Sequence, residues 1–104
     1  GCPDGVSELG GQTVYVKNGE ARLADGTLAG SVLRMNDAVR RMVQVIGLPF
    51  TDAVDMATKN TAALLGISDS CGELACGKRA DFTVLDPDFG VLLTVVGGRE
   101  VYRR

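Results

Sequence analysis

Glycine sets the limits on this chain. Fourteen of its 104 residues are Gly, about twice the usual ~7%, and they stand between short apolar runs instead of forming a linker tract. Such punctuation favours short elements joined by tight turns. No stretch approaches the ~20 apolar residues of a membrane span. The lead-in from Gly1 to Gly11 has few apolar residues and reads as irregular. Thr13-Val14-Tyr15-Val16 and Ala21-Arg22-Leu23 flank Asn18-Gly19, the residue pair of a type I′ hairpin turn, because both central positions need positive φ. A second turn is expected at Asp25-Gly26.

The period then changes. Val32, Met35, Val39, Met42, Val43 and Ile46 recur at three- and four-residue steps, with Arg34, Asp37, Arg40, Arg41 and Gln44 on the other side, which predicts a helix. Ser31 or Asn36 is its candidate N-cap and Gly47 its stop. A second helix is expected from Thr51 or Asp52 to Leu65, closed by Gly66. With four residues between them, the two helices should pack together. Phe82–Leu85, Val91–Val96 and Val101-Tyr102, parted by Asp86-Pro87-Asp88 and Gly97-Gly98, read as three antiparallel strands. A β-hairpin, two packed helices and a three-strand meander make an α+β class. Its core is thin, so the sheet faces need a cover, and exposed edges are expected to pair between copies as a homo-oligomer.

The chain has no histidine. It therefore cannot build a Ser-His-Asp or Cys-His triad, or supply the usual His ligands of a catalytic zinc. Chemistry of its own would rest on carboxylates, lysines, hydroxyls or Cys2, Cys71 and Cys76. The cysteines lack C-x-x-C spacing and read as free thiols of a reduced, cytoplasmic protein, with a Cys71–Cys76 disulfide as the alternative. A net charge of -2 argues against a nucleic-acid partner, and Arg40-Arg41 and Arg103-Arg104 are too short to form a basic patch. No secretory signal is visible, and the first residue is not Met, which fits a trimmed tag or a piece of a longer protein.

Other features read as structural. Gly77-Lys78 lacks the rest of a phosphate loop, so Lys78 is expected to cap a turn. Thr58, Asn60 and Thr61 should satisfy backbone groups at a helix end. Met35 and Met42 belong to the core pattern, and Asp81 and Asp86 to turns. Gly30-Ser31, read from composition alone, is a turn and an N-cap.

Three segments carry more. Asp25-Gly26-Thr27-Leu28-Ala29-Gly30-Ser31 precedes the first helix. Asp55-Met56-Ala57-Thr58-Lys59-Asn60-Thr61-Ala62-Ala63-Leu64-Leu65-Gly66 ends the second. Gly72-Glu73-Leu74-Ala75-Cys76-Gly77-Lys78-Arg79-Ala80-Asp81 opens the strands. The last two resemble the C-terminal signature of the amidohydrolase superfamily, A-T-x-N-P-A…L-G followed by G-x-L-x-x-G-K-x-A-D. The first narrows the resemblance to the C-terminal part of N-acetylglucosamine-6-phosphate deacetylases. It extends from about Thr13 to Tyr102, with one departure: Thr61 stands where the family has proline.

The resemblance implies a fragment of a (β/α)8 barrel plus a small β-sandwich, with residues 1–66 at the end of the barrel and 67–104 in the sandwich. It implies a hydrolase that uses a divalent metal, zinc or iron, to deacetylate N-acetylglucosamine 6-phosphate. The metal ligands, the phosphate clamp and the catalytic Asp of the family lie upstream. Asp4 does not match the strand-end pattern of that Asp, and Arg34, Arg40 and Arg41 are not assigned to the clamp. Leu28, Ala29 and Gly30 alone map to a loop lining the sugar pocket. The 104 residues themselves are expected to be non-catalytic. The tail of another amidohydrolase, a cyclic amidase or deaminase, or a stand-alone interaction module are the alternatives.

Overall fold

The computed structural model describes residues 2–104. The chain divides into two compact units, one through Arg34 and one from Met35 to Arg104.

In the first unit four antiparallel strands lie in sequence order: β1 (Gly5–Leu9), β2 (Gln12–Lys17), β3 (Glu20–Arg22) and β4 (Leu28–Gly30). Val14 and Val16 point inward from β2 while Thr13, Tyr15 and Lys17 stay exposed, the alternation of a half-buried strand. Val14, Val16 and Ala21 form the core, with Leu23, Ala29 and Val32 packed on it. Asn18 (φ 53) and Gly19 (φ 78) make the expected two-residue turn. The lead-in is not irregular, however. Gly10 (φ 58) and Gly11 (φ 80) form the same turn and pair β1 with β2 from Gly5↔Val16 to Leu9↔Gln12.

The second unit opens with α1 (Met35–Gln44) and α2 (Phe50–Ala57). Val39 is buried, with Met42 and Val43 packed beside it and Ala53 facing it from α2. Met35 is 67% exposed, against expectation, because it is the first helical residue and rims a cleft opposite Phe50. Neither expected N-cap serves. The Ser31 hydroxyl accepts the Leu33 N–H (3.0 Å) well ahead of the helix, and Asn36 lies inside the first turn, donating to the Phe89 carbonyl (3.0 Å).

The expected second helix is broken at Thr58 (φ -131, ψ -83) into α2 and α3 (Lys59–Leu64). Thr58 Oγ1 donates back to the Val54 carbonyl (2.7 Å), a bond that competes with regular helix geometry. Thr61 Oγ1 takes the Met56 carbonyl (2.9 Å), which the break leaves open. Both threonines thus satisfy backbone groups, as their sequence setting implied. The first helical N–H of α3 to find an acceptor is that of Ala62, on Thr58 (2.9 Å). Thr61 precedes it, at a position where a proline loses nothing, so this departure from the family pattern leaves the helix start intact. Gly66 (φ 70) ends α3 in a Schellman motif, Ile67 N–H to Ala62 (2.9 Å) and Gly66 N–H to Ala63 (3.1 Å).

Beyond the helices, Lys78 Nζ bonds the Ser68 carbonyl and the Glu73 carboxylate (2.8 Å), the turn-holding role expected of it. The meander is β5 (Phe82–Leu85), β6 (Val91–Val96) and β7 (Arg99–Arg103), antiparallel in that order. Both turn aspartates act as read. Asp81 Oδ1 accepts the Gly97 N–H (2.6 Å), and Asp86 Oδ1 accepts those of Gly90 (2.7 Å) and Asp88 (2.9 Å) while Oδ2 meets Arg104 (2.9 Å).

The Gly90 N–H above all, then Arg104 and the Asp88 N–H, hold the Asp86 carboxyl below its ordinary 3.8, against the opposing effect of burial. A carboxyl depressed on folding stabilises the fold above its unfolded pKa, and that contribution is lost as pH falls through the lower folded value. Below about pH 4 the urea midpoint should therefore drop, and Asp86→Asn should show a shallower drop. Identical slopes would remove Asp86 from this account.

Candidate functional site

Leu28, Ala29 and Gly30 do not form a loop; they are β4, the edge strand of the first sheet. Arg22 pairs with Leu28 and Ala21 with Gly30, so the register shifts there and Ala29 is the extra residue of a β-bulge. The bulge separates the three residues. Leu28 is 63% exposed and lies in a row with Arg22, Tyr15 and Val6 across the sheet. Ala29 is half-buried against the Val14–Val16–Ala21 core. Gly30 is exposed, and a Cβ built on it would meet only Leu9, at 3.8 Å.

The approach to β4 is a tight turn. Leu23 N–H donates to Thr27 (2.9 Å) and Gly26 N–H to Leu23 (3.0 Å), with Gly26 at φ 86. Asp25 Oδ1 accepts the Thr27 N–H (2.9 Å), which holds its carboxyl below the ordinary range. Arg22 Nη1 donates to the Gly26 carbonyl (2.9 Å) and Nε to Glu20 (2.8 Å). The outer edge of β4 has no strand partner among the described residues. Chemically the segment offers an apolar side chain, a residue without Cβ and free backbone groups. It can contact a ligand but supplies no acid, base or nucleophile.

No group of three or more His, Cys, Asp or Glu able to hold a metal occurs among the described residues. Cys2, Cys71 and Cys76 are free, without the alternative disulfide. Asp4 accepts the Asn18 N–H at 3.5 Å, and Arg40 pairs with Asp37 at 3.4 Å. Two clefts, of about 570 and 580 Å³, lie in the second unit. One is bounded by Val54, Ala57, Thr61 and Leu65, the other by Val39, Phe50, Thr83 and Thr94. Both are lined mainly by apolar side chains, the usual lining of a packing surface. No described helix is long and apolar enough to cross a membrane.

Sequence reasoning missed Arg22 and Asp25 as supports of β4. Their signal is local: Asp two residues before Thr across a glycine is an Asx turn, and Arg22 reaches the Gly26 carbonyl, four residues on, only if the chain folds back.

The model of the amidohydrolase family matches residues 17–101. The N-acetylglucosamine-6-phosphate deacetylase of Bacillus subtilis is 43% identical over 94% of this chain and 25% of its own length. The N-acetylgalactosamine-6-phosphate deacetylase of Escherichia coli O157:H7 is 42% identical over 83% of this chain and 23% of its own. The crystal structure of the N-acetylglucosamine-6-phosphate deacetylase of Thermotoga maritima superposes with a TM-score of 0.80 and 39% identity, covering 100% of this chain and 28% of that one. This chain thus spans about a quarter of the length of the proteins it matches.

Proposed function

The chain belongs to the amidohydrolase family, and we propose that it forms the C-terminal part of a metal-dependent enzyme that deacetylates N-acetylglucosamine 6-phosphate. The products are glucosamine 6-phosphate and acetate. The observation that carries this reading is identity above 40% with a named deacetylase over 94% of the chain. The reading assigns residues 1–66 to the end of the barrel and 67–104 to the small sandwich, in a cytoplasmic homo-oligomer.

The chain's role in that reaction is structural, with one contact segment. Leu28 presents an exposed apolar side chain, and Gly30 lets backbone approach the sugar closely. Leu28, Ala29 and Gly30 line the pocket near the N-acetyl group. The remaining walls, the metal and the proton-transfer groups belong to polypeptide outside these 104 residues. Large apolar side chains fit that assignment: Leu64 is 87% exposed, Leu74 73% and Val45 73%, surfaces that a longer chain would cover.

A second reading is favoured by one observation. Identity with the galactosamine-type deacetylase is 42%, so the 4-epimeric sugar phosphate is a competing substrate. The test is acetate release by the full-length, metal-loaded gene product from each N-acetylhexosamine 6-phosphate. Turnover of either is expected, with none from the 104-residue chain alone. Turnover of a cyclic amide or an aminopurine, with neither sugar phosphate consumed, would overturn the deacetylase reading.

A further inference from the structure

We propose that Arg22 is a positioning residue for the sugar pocket, holding β4 in the register that turns Leu28 outward and Ala29 inward. The inference rests on the reading of Leu28–Gly30 as pocket-lining.

The need for such a lock follows from strand geometry. Side chains alternate along a strand, so a slip of one residue exchanges the two faces. β4 has three residues, lies at an edge and already carries a register shift against Ala21 and Arg22. A one-residue slip would bring Ala29 to the outer face and direct Leu28 at the small Val14–Val16–Ala21 core. The apolar surface offered to a ligand would shrink from leucine to alanine.

Arg22 is placed to prevent this. It is the direct register partner of Leu28. Its guanidinium reaches the Gly26 carbonyl in the turn ahead of β4 (2.9 Å), and Glu20 holds it through Nε (2.8 Å). The planar group thus ties β3 to the turn that feeds β4, two residues before Leu28. A lysine ammonium, a point charge on a flexible stem, lacks the planar fork that fixes the directions of these two bonds.

The experiment compares Arg22→Met and Arg22→Lys in the full-length, metal-loaded enzyme, with N-acetylglucosamine 6-phosphate and its 4-epimer as probes. Arg22→Met, which removes both bonds, should raise KM about fivefold by loosening the register, with kcat within about twofold. Arg22→Lys should recover part of that loss. Amide exchange should quicken at Thr27–Gly30 in Arg22→Met and stay unchanged in β2. An unchanged KM in Arg22→Met, or exchange that rises equally across all four strands, overturns the proposal. If the wild type deacetylates neither sugar, the pocket reading fails on its own; the register lock then stands or falls on whether exchange at Thr27–Gly30 changes.

Discussion

Gly72→Ala is expected to destabilise the second unit by about 2–4 kcal/mol, one of the largest effects of any single methyl group in this chain. Gly72 sits at φ 97, where a side chain is strained, and a Cβ there would lie 2.6 Å from Ala62 Cβ. Ala62 is 4% exposed and fixed to the backbone of α3, so it cannot rotate away. Nor can the approaching segment retreat freely. Ile67 N–H is bonded to Ala62 (2.9 Å) and Cys71 N–H to Ile67 (3.2 Å), which ties residues 67–71 to the helix end. Urea midpoints would show the loss. Adding Ala62→Gly to Gly72→Ala should return part of it, despite the roughly 1 kcal/mol a helical glycine costs, because that pair removes the clash. A Gly72→Ala midpoint within error of the wild type would refute the close approach.

Gly72 also illustrates what was legible in the sequence. The spacing G-x-L-x-x-G-K-x-A-D marks residues 72–81 as a family segment, but it does not reveal that the first glycine is pressed against Ala62, ten residues earlier in the chain. Tight turns were readable where their flanks were. Asn18-Gly19 is bounded by Val16 and Ala21, both buried, whereas Gly10-Gly11 makes the same turn between strands whose β1 side buries little beyond half-buried Ser7. The turn chemistry was equal; the hydrophobic alternation was absent. The break at Thr58 was hidden for a related reason. Apolar periodicity runs on through Ala57 and Ala62, while the backbone leaves the helix at Thr58 itself (φ -131, ψ -83).

The candidate site was legible as a segment and not as a geometry. Asp25 to Ser31 carries the family resemblance, yet Leu28–Gly30 is too short, and too rich in small residues, to display a strand's period of two. Its strand character comes from Ala21 and Arg22, across the sheet, and the bulge that sends Leu28 and Ala29 to opposite sides is a property of that pairing. The lack of histidine was equally visible.

Phe89 combines the largest aromatic burial in the second core with a backbone conformation that suits glycine. It is 9% exposed, packs with Val39 and Ala53, and meets the Phe50 ring at 6.1 Å between centroids, tilted by 55°. Its φ is 65, set by the Asp86 turn, in which Phe89 N–H donates to Asp86 (3.0 Å) and Asp86 N–H to Gly90 (2.9 Å). Packing therefore outweighs the strain of about 1–2 kcal/mol that a left-handed side-chain-bearing residue stores. Phe89→Ala should cost roughly 3–5 kcal/mol, since it keeps the strain and empties the site. Phe89→Gly empties the site equally but releases the strain, so it should unfold at the same urea concentration as Phe89→Ala or higher. Elsewhere in a folded chain glycine is worse than alanine by about 0.5–1 kcal/mol. A Phe89→Gly protein weaker than Phe89→Ala by that margin would show that the turn does not impose the left-handed backbone, and that Asp86 merely follows where the ring leads.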